Sequence, residues 1–294
     1  MDRAAVRTVR SFNRTVTQRL GVLQDEYLGR GRPLGASRVM WEIGDEGTDV
    51  RSLRTRLDLD SGYLSRLLRS LEADGLISVG RDPADKRVRT ARLTKEGRAE
   101  RQLIDERSDD LAWSLLSPLS DAQRTRLVDA MGQVERLLTA GLVEVAIGDP
   151  RSVDARFCIT AYFAELDERV EGGFDPAVTI SADPEELTEP HGLLLIARLR
   201  GEPIGCAALK RLDERAPAEI KRMWVARHTR GLGVGRRLLT EIEGHARARG
   251  ERVLRLETIR ELGEATSLYR SSGYREIAPF NDEPHADYWF EKML

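Results

Sequence analysis

A glycine-rich turn is the segment of this 294-residue chain that is best suited to bind an anion. A strand pattern over residues 219–225 runs into Arg230-Gly-Leu-Gly-Val-Gly235, and apolar residues at helical spacing follow over residues 236–249. Backbone N–H groups converge at the start of a helix, and the helix dipole favours negative charge there. Glycines let such a backbone approach a pyrophosphate without a Cβ in the way. The segment predicts a phosphate site, although a glycine turn that merely starts a helix looks the same.

Two common phosphate-loop patterns do not fit this turn. Gly231, Gly233 and Gly235 stand at every second position, whereas the dinucleotide fingerprint needs G-x-G-x-x-G, and the Gly-Lys-Ser/Thr ending of a P-loop is missing. The pattern that fits is Arg-x-x-Gly-x-Gly, which resembles the acetyl-CoA-binding signature of the GNAT N-acetyltransferases. A second segment, Ala265-Thr-Ser-Leu-Tyr-Arg-Ser-Ser-Gly-Tyr274, matches the Leu-Tyr-x-x-x-Gly-aromatic element found late in that fold.

The resemblance covers about residues 152–294 and implies that acetyl-CoA binds as a co-substrate. The turn would hold the pyrophosphate, and the edge of the preceding strand would pair with the pantetheine amides, as a strand pairs with an extended peptide. The cofactor-binding residues would be Met223, Trp224, Val225, Arg230, Gly231, Leu232, Gly233, Val234, Gly235 and Arg236. One departure stands out, because many family members have a coenzyme-binding asparagine where this chain has Leu262.

The chemistry that the resemblance implies is direct attack of an amine on a thioester. This reaction needs a neutral amine, a polarised carbonyl and a proton for the leaving thiolate. Tyr269 is the candidate general acid, a backbone N–H near Val225 would polarise the carbonyl, and Glu219 is the candidate base, alone or through water. The competing interpretations are a tyrosine that only packs and a glutamate at an exposed strand end.

The acceptor is poorly specified by the sequence. Tyr162 and Glu165 share one face of a predicted helix, and Phe280 and Asn281 lie in a polar loop before the last strand. These residues could form a pocket for a small amine such as an amino acid. An ordinary connecting loop would have the same composition.

A different chemistry is indicated near the N-terminus, where a predicted helix has two unlike faces. Leu64, Leu67, Leu68 and Leu71 form an apolar face, and Asp60 or Ser61 can cap the helix. The other face carries small hydroxylated residues at its start and arginines further along, which suits a helix in a DNA major groove. A solvated polar face is the alternative.

Two predicted strands follow this helix, over residues 76–79 and 88–93, with a basic turn between them. The segments Tyr63–Leu76, Asp82-Pro-Ala-Asp-Lys-Arg87 and Leu93-Thr-Lys-Glu-Gly97 closely resemble the MarR family of transcriptional regulators. That resemblance implies a winged helix-turn-helix, a homodimer and a palindromic double-stranded DNA operator. The DNA-binding residues would be Ser61, Tyr63, Ser65, Arg66 and Arg69 on the helix and Asp85, Lys86 and Arg87 on the wing.

Composition limits the remaining possibilities. The net charge is −2 and 40% of residues are hydrophobic, which is typical of a soluble globular protein. Cys158 and Cys206 stand alone in apolar settings, as expected of packing residues in a reducing cytoplasm. Neither a signal peptide nor a membrane span is expected, and the four scattered histidines do not have the spacing of a metal site.

The order of the predicted elements divides the chain into two domains. Residues 1–146 would form a helix-rich winged helix-turn-helix unit for DNA binding and dimerisation, whose first helix runs from Asp2 to about residue 29. Residues 147–294 would form an α+β unit with a mostly antiparallel central sheet. A linker is expected over residues 141–154, because Gly148-Asp-Pro150 is a strong turn signal.

The sequence is compatible with three functions. The first is a bifunctional DNA-binding regulator and N-acetyltransferase. The second is a regulator whose transferase-like unit senses acetyl-CoA or an amine without turnover, which the leucine at position 262 favours. The third is an enzyme whose winged helix only dimerises the chain.

Overall fold

The computed structural model describes residues 2–21, 27–81, 87–180, 182–211 and 216–294. The chain divides into two compact units, Met1–Met131 and Gly132–Leu294. Within the described ranges, no helix is long and apolar enough to cross a bilayer.

The N-terminal unit is built from helices and a small sheet. Its elements are α1 (Arg3–Arg19), α2 (Leu34–Ile43), β1 (Thr48–Asp49), α3 (Val50–Leu57), α4 (Ser61–Ala73), β2 (Ile77–Arg81), β3 (Arg89–Leu93) and α5 (Lys95–Leu116), followed by α6 (Asp121–Ala140), in which the division between the units falls. The strands are antiparallel in the order β1-β3-β2. Val39, Met40 and Leu53 lie at the centre of the core, together with the apolar face of α4. The predicted winged helix-turn-helix arrangement is confirmed.

The first helix is shorter than the sequence predicts. It ends at Arg19, and the next glycine, Gly21, has a φ of 65°. A glycine in this left-handed conformation is a common helix ending, because it has no Cβ to clash. The part of the predicted helix that includes Leu23 lies outside the described residues, and Tyr27–Gly29 beyond it form a 3-10 turn rather than an α-helix.

The C-terminal unit has a central sheet with helices packed against it. Its elements are β4 (Val143–Gly148), α7 (Val153–Arg169), β5 (Gly192–Leu199), β6 (Glu202–Lys210), β7 (Ala218–Val225), α8 (Val234–Ala248), β8 (Val253–Thr258), α9 (Gly263–Ser271), β9 (Arg275–Ile277) and β10 (Tyr288–Met293). The strand order is β4-β5-β6-β7-β8-β10-β9, and every pairing except β7 with β8 is antiparallel. The predicted α+β class with a mostly antiparallel sheet is confirmed.

The predicted linker is wrong in its first half, because residues 143–148 form an edge strand of this sheet. β4 pairs with β5 along its whole length, from Val143 opposite Leu199 to Gly148 opposite Leu194. A Cβ at Gly148 would come within 2.7 Å of Ile196, so this glycine serves close packing rather than a flexible joint. The boundary that the sequence predicts at residue 146 falls inside β4.

The two parallel strands separate soon after they meet, and this opens a cleft. β7 pairs with β8 only at Ala218–Leu254 and Glu219–Arg255. Further along, β7 contains a bulge against β6, at which Arg222 has a φ of 53°. A bulge bends a strand and increases its twist. From Ile220 onward, the β8-facing edge of β7 therefore lines a gap in the sheet.

Candidate functional site

The glycine turn after β7 presents unbonded amides to this cleft. Gly231 and Gly233 have φ values of 86° and 78°, and Gly233 caps α8 without any side-chain cap. The first N–H groups of a helix have no partner within it, and here Arg237 donates to the carbonyl of Gly233 at 3.0 Å. The amides that precede Arg237 on α8 are therefore available to an anion.

A cavity of about 360 Å³ lies against this turn. It is bordered by Met223, Trp224 and Val225 of β7, and by Arg230, Gly231, Gly233, Val234, Gly235 and Arg236 of the turn and α8. Leu232 is the one predicted cofactor residue outside its lining, and its side chain packs against the core. A Cβ at Gly235 would lie 3.2 Å from Leu268, which borders the same cavity. Gly235 thus keeps the floor of the cavity open.

Arg230 is held in an ion cluster rather than pointing freely into the cavity. Its guanidinium donates to Glu165 at 2.6 and 2.7 Å, to Glu264 at 3.1 Å, and to the carbonyl of Val225 at 3.1 Å. Arg169 bridges the same two carboxylates, at 2.6 Å from each. Burial alone would raise the pKa of Glu165, but the hydrogen bonds from Arg230 and Trp224 outweigh it and lower that pKa. The cluster fixes the end of β7 and the turn to α7 and α9.

Tyr269 lies where the large cavity meets a second, smaller one. Its side chain is buried, and its hydroxyl is 3.6 Å from the sulfur of Met223. Burial raises the pKa of Tyr269 well above its usual value, and the nearby Tyr162 and Glu257 add to the effect. The phenol therefore keeps its proton at neutral pH. The two cavities share the residues Tyr162, Leu166, Met223, Leu262, Ala265 and Tyr269.

The second cavity, of about 70 Å³, is lined by ionisable side chains. Lys221 and Arg222 come from β7, Glu257 from β8, and Glu283 and His285 from the segment before β10. Glu283 accepts a hydrogen bond from the Ile180 amide at 2.8 Å. Its other oxygen is buried, and among the described residues no hydrogen-bond partner is recorded for it.

Glu219, the base predicted from the sequence, lies beside this cavity but does not line it. Its carboxylate is buried and 2.9 Å from the ammonium of Lys221. Lys221 also binds Glu257, which does face the cavity. Burial alone would lower the pKa of Lys221, but the two carboxylates outweigh it and raise that pKa. The sequence does not indicate that Glu257 faces the cavity, because alternate residues of a strand face opposite sides and only the sheet register shows which side is the cleft.

The residues predicted to bind the acceptor have different surroundings. Tyr162 borders both cavities, and burial raises its pKa to about 12. Glu165 borders only the large cavity, within the ion cluster. Phe280 lies under the Arg255 guanidinium, and Asn281 bonds to Trp289 at 2.8 Å. Phe280 and Asn281 are outside both cavity linings.

The polar face of α4 in the N-terminal unit is exposed, as the sequence predicts. Ser61, Ser65, Arg66 and Arg69 are exposed, and Asp60 caps the helix by accepting from the Tyr63 amide at 2.8 Å. Tyr63 packs partly against the core, with the Arg66 guanidinium 5.7 Å from its ring centre. Arg87 is exposed just before β3. Asp85 and Lys86 lie outside the described residues.

Comparison with known proteins identifies both units. Residues 161–274 match the model of the acetyltransferase (GNAT) family, and residues 30–88 match that of the MarR family. The C-terminal unit is similar to N-alpha-acetyltransferase RimI of Mycobacterium tuberculosis, with 34% identity over 142 residues, covering 48% of this chain and 84% of that protein. The chain belongs to the GNAT family. Its N-terminal part is a MarR-family winged helix, so the chain is a fusion of the two.

Two further relatives match the GNAT and MarR units separately. The IAA acetyltransferase of Azospirillum brasilense is 40% identical over 98 residues, which is 33% of this chain and 64% of that relative. The HTH-type transcriptional regulator TtmR of Methylorubrum extorquens is 42% identical over 67 residues, 23% of this chain and 33% of that protein. This chain therefore spans less than two thirds of either relative.

Proposed function

We propose that this protein is a MarR-type DNA-binding transcriptional regulator that also transfers the acetyl group of acetyl-CoA to a small amine. The main support for the transferase activity is that two cavities meet at Tyr269. The larger cavity runs along free amides of a helix start, and the smaller is lined by ionisable groups. This arrangement suits a phosphorylated co-substrate in one cavity and a polar acceptor in the other.

Acetyl-CoA would lie along β7 with its pyrophosphate on the turn. The free amides at the start of α8 would bind the phosphate oxygens, with Arg236 supplying charge. Arg230 would position the turn, since its charge is already matched by Glu165 and Glu264. The amides of the pantetheine arm would pair with the open edge of residues 223–225.

The amine would attack the thioester carbonyl carbon to form a tetrahedral intermediate, from which CoA leaves as a thiolate. The amide of Ala226 donates to Ile204 of β6 at 2.8 Å. Because successive amides of a strand point to opposite sides, the Val225 amide faces the cleft and can stabilise the developing oxyanion. Tyr269 would then donate its phenol proton to the thiolate sulfur.

The proton of the attacking amine would pass to Glu257, directly or through water. We prefer Glu257 to Glu219 because Glu257 lines the small cavity, while Glu219 lies behind Lys221. The raised pKa of Lys221 keeps its ammonium charged, so this cation holds Glu257 in place.

The regulatory half rests on the exposed face of α4 and on apolar surface elsewhere in the N-terminal unit. Val6, Val9 and Phe12 of α1 and Leu103 and Trp113 of α5 are large apolar side chains exposed to solvent. A second copy would bury such surface, and a two-fold dimer presents one winged helix to each half of a palindromic operator. We therefore propose a homodimer on double-stranded DNA.

Measuring acetyl-CoA binding and CoA release side by side tests the enzymatic half. The protein would be incubated with acetyl-CoA and a panel of amino acids, polyamines and aminoglycosides. CoA release with one acceptor class supports the transferase, and failure to bind acetyl-CoA at all would contradict it. Binding without turnover on any amine would favour the sensor, for which Leu262 at the junction of the cavities is the supporting observation.

A further inference from the structure

The small cavity carries charges of both signs, which restricts the acceptor that it can hold. Among its lining side chains, Lys221 is held by two carboxylates, so its charge is matched within the protein. Arg222 stacks over the ring of Phe163, 4.6 Å from its centre, and no ion pair of its guanidinium is recorded within the described ranges. Glu283 has one buried oxygen for which those ranges record no hydrogen-bond partner. The positive charge of Arg222 and the carboxylate of Glu283 are therefore available to pair with a ligand.

The backbone holds Arg222 in this position. Its φ of 53° belongs to the β7 bulge, and its carbonyl accepts a hydrogen bond from the Cys206 thiol at 3.1 Å. Without the bulge, the regular alternation of β7 would turn this side chain to the other face of the sheet. The same bulge places Met223, the next residue, beside Tyr269. The guanidinium therefore borders the acceptor cavity next to the reaction centre.

We propose that the acceptor is an amino acid whose carboxylate binds the guanidinium of Arg222. This inference rests on the proposed transferase function and names the substrate class of its acceptor cavity. The ammonium group of the amino acid is matched by Glu283 and lies beside Glu257. Glu257 takes one ammonium proton before attack and releases it to solvent, so its carboxylate can accept the second proton as the amide forms. A polyamine would place only positive charge near Arg222, and a simple monoamine would leave the Arg222 charge without a partner. Neither ligand can form the bidentate hydrogen bonds that a guanidinium makes with a carboxylate.

The test compares amino acids with their carboxamides, which carry the same amine without the carboxylate. The twenty common L-amino acids and their amides would be titrated calorimetrically into protein saturated with CoA, and assayed for turnover with acetyl-CoA. Losing one partner of a desolvated charge pair costs roughly 30- to 5,000-fold. We expect at least one amino acid to bind more tightly than its amide by a factor in this range, and its kcat/KM to be higher by a similar factor.

Arg222→Gln should remove this preference by raising KM for the amino acid, with a smaller effect on kcat. The carboxamide should bind the variant as well as it binds wild type. Arg222→Lys should restore part of the preference, since lysine keeps the charge but not the planar fork. Arg275→Gln is the matched control, because Arg275 is exposed on β9 and lines neither cavity.

Calorimetric binding and turnover test the amino-acid acceptor and the transferase activity separately. Turnover of amides or of peptide N-termini as efficiently as of amino acids would overturn the inference and leave the transferase standing. Equal effects of Arg222→Gln on amino acid and amide would also overturn it, as would the absence of calorimetric binding by every amino acid. Binding that depends on Arg222, without turnover of any amine, would support the recognition of a carboxylate and contradict the transferase.

Discussion

Single side chains in the C-terminal unit have distinct roles that depend on their surroundings. At the junction of the cavities Tyr269 is buried and Tyr162 is partly buried, but only Tyr269 contacts the sulfur of Met223. Glu219 and Glu257 both bind Lys221, but only Glu257 lines a cavity. Residue type and spacing predict a tyrosine acid and a glutamate base, and the structure brings Tyr269, Glu219 and Glu257 close to the two cavities. The particular glutamate depended on strand register, which the sequence does not contain.

The pH dependence of the transferase follows from the buried phenol. An ordinary tyrosine has a pKa of about 10, and burial raises the pKa of Tyr269 above this value. The protonated acid is therefore retained as the pH rises, and we expect kcat with saturating substrates not to decline between about pH 8 and pH 10. A decline with an apparent pKa near 9 in wild type that disappears in Tyr269→Phe would contradict this account.

The choice of base is tested by a pair of matched substitutions. Glu257→Gln and Glu219→Gln each remove one carboxylate from Lys221, but only the first changes the lining of the cavity. General-base catalysis contributes roughly 10²–10⁴-fold. We expect Glu257→Gln to lower kcat/KM by about 10²-fold or more at neutral pH, with partial recovery at high pH, where the free amine is already neutral. An equal or larger loss in Glu219→Gln would instead support the base predicted from the sequence.

At the scale of elements, the cleft depends on two interruptions of regular structure. The bulge of β7 separates it from β8, and the uncapped start of α8 leaves amides unpaired. The sequence predicted α8 and its glycine turn because their periodicity is local. The bulge and the strand β4 were missed, because a bulge appears only in the pairing register and β4 lies in a segment rich in turn residues.

Two glycine substitutions in α8 should separate binding from helix stability. A Cβ at Gly235 would lie 3.2 Å from Leu268 at the floor of the large cavity, whereas a Cβ at Gly244 would meet nothing within 4 Å. We expect Gly235→Ala to weaken acetyl-CoA binding, because the added methyl group would crowd Leu268 at the cavity floor. Gly244→Ala should leave binding unchanged and stabilise the helix by about 0.5–1 kcal/mol. Calorimetric titration and urea unfolding measure the two effects, and equal affinities for acetyl-CoA would argue against a coenzyme site at this turn.

At the scale of the whole molecule, the chain joins a MarR-family unit to a GNAT-family unit. The sequence predicted both families and both fold classes, because each unit carries short motifs whose spacing is characteristic. It could not locate the division between the units to within a few residues, since β4 continues the sheet where turn residues suggested a linker.

DNA binding is expected to depend on the exposed face of α4. Removing a base contact of an arginine costs about 1–3 kcal/mol, so Arg66→Ala should weaken binding to the operator by roughly 5- to 150-fold. Arg126→Ala, on the exposed surface of α6, should have little effect. Electrophoretic mobility shifts with a selected palindromic operator would measure the DNA affinity of each variant. Unchanged affinity in Arg66→Ala would contradict the role of α4 as the recognition helix.

The measurement that tests the central claim most directly is CoA release from acetyl-CoA by wild type and Tyr269→Phe. Tyr288→Phe is the control, because Tyr288 lines neither cavity. With the best acceptor, we expect kcat to fall about 10²–10⁴-fold in Tyr269→Phe while the affinity for acetyl-CoA stays the same. The control should retain its activity. An unchanged rate in Tyr269→Phe would contradict the assignment of the general acid, and tight acetyl-CoA binding without CoA release in wild type would contradict the transferase itself.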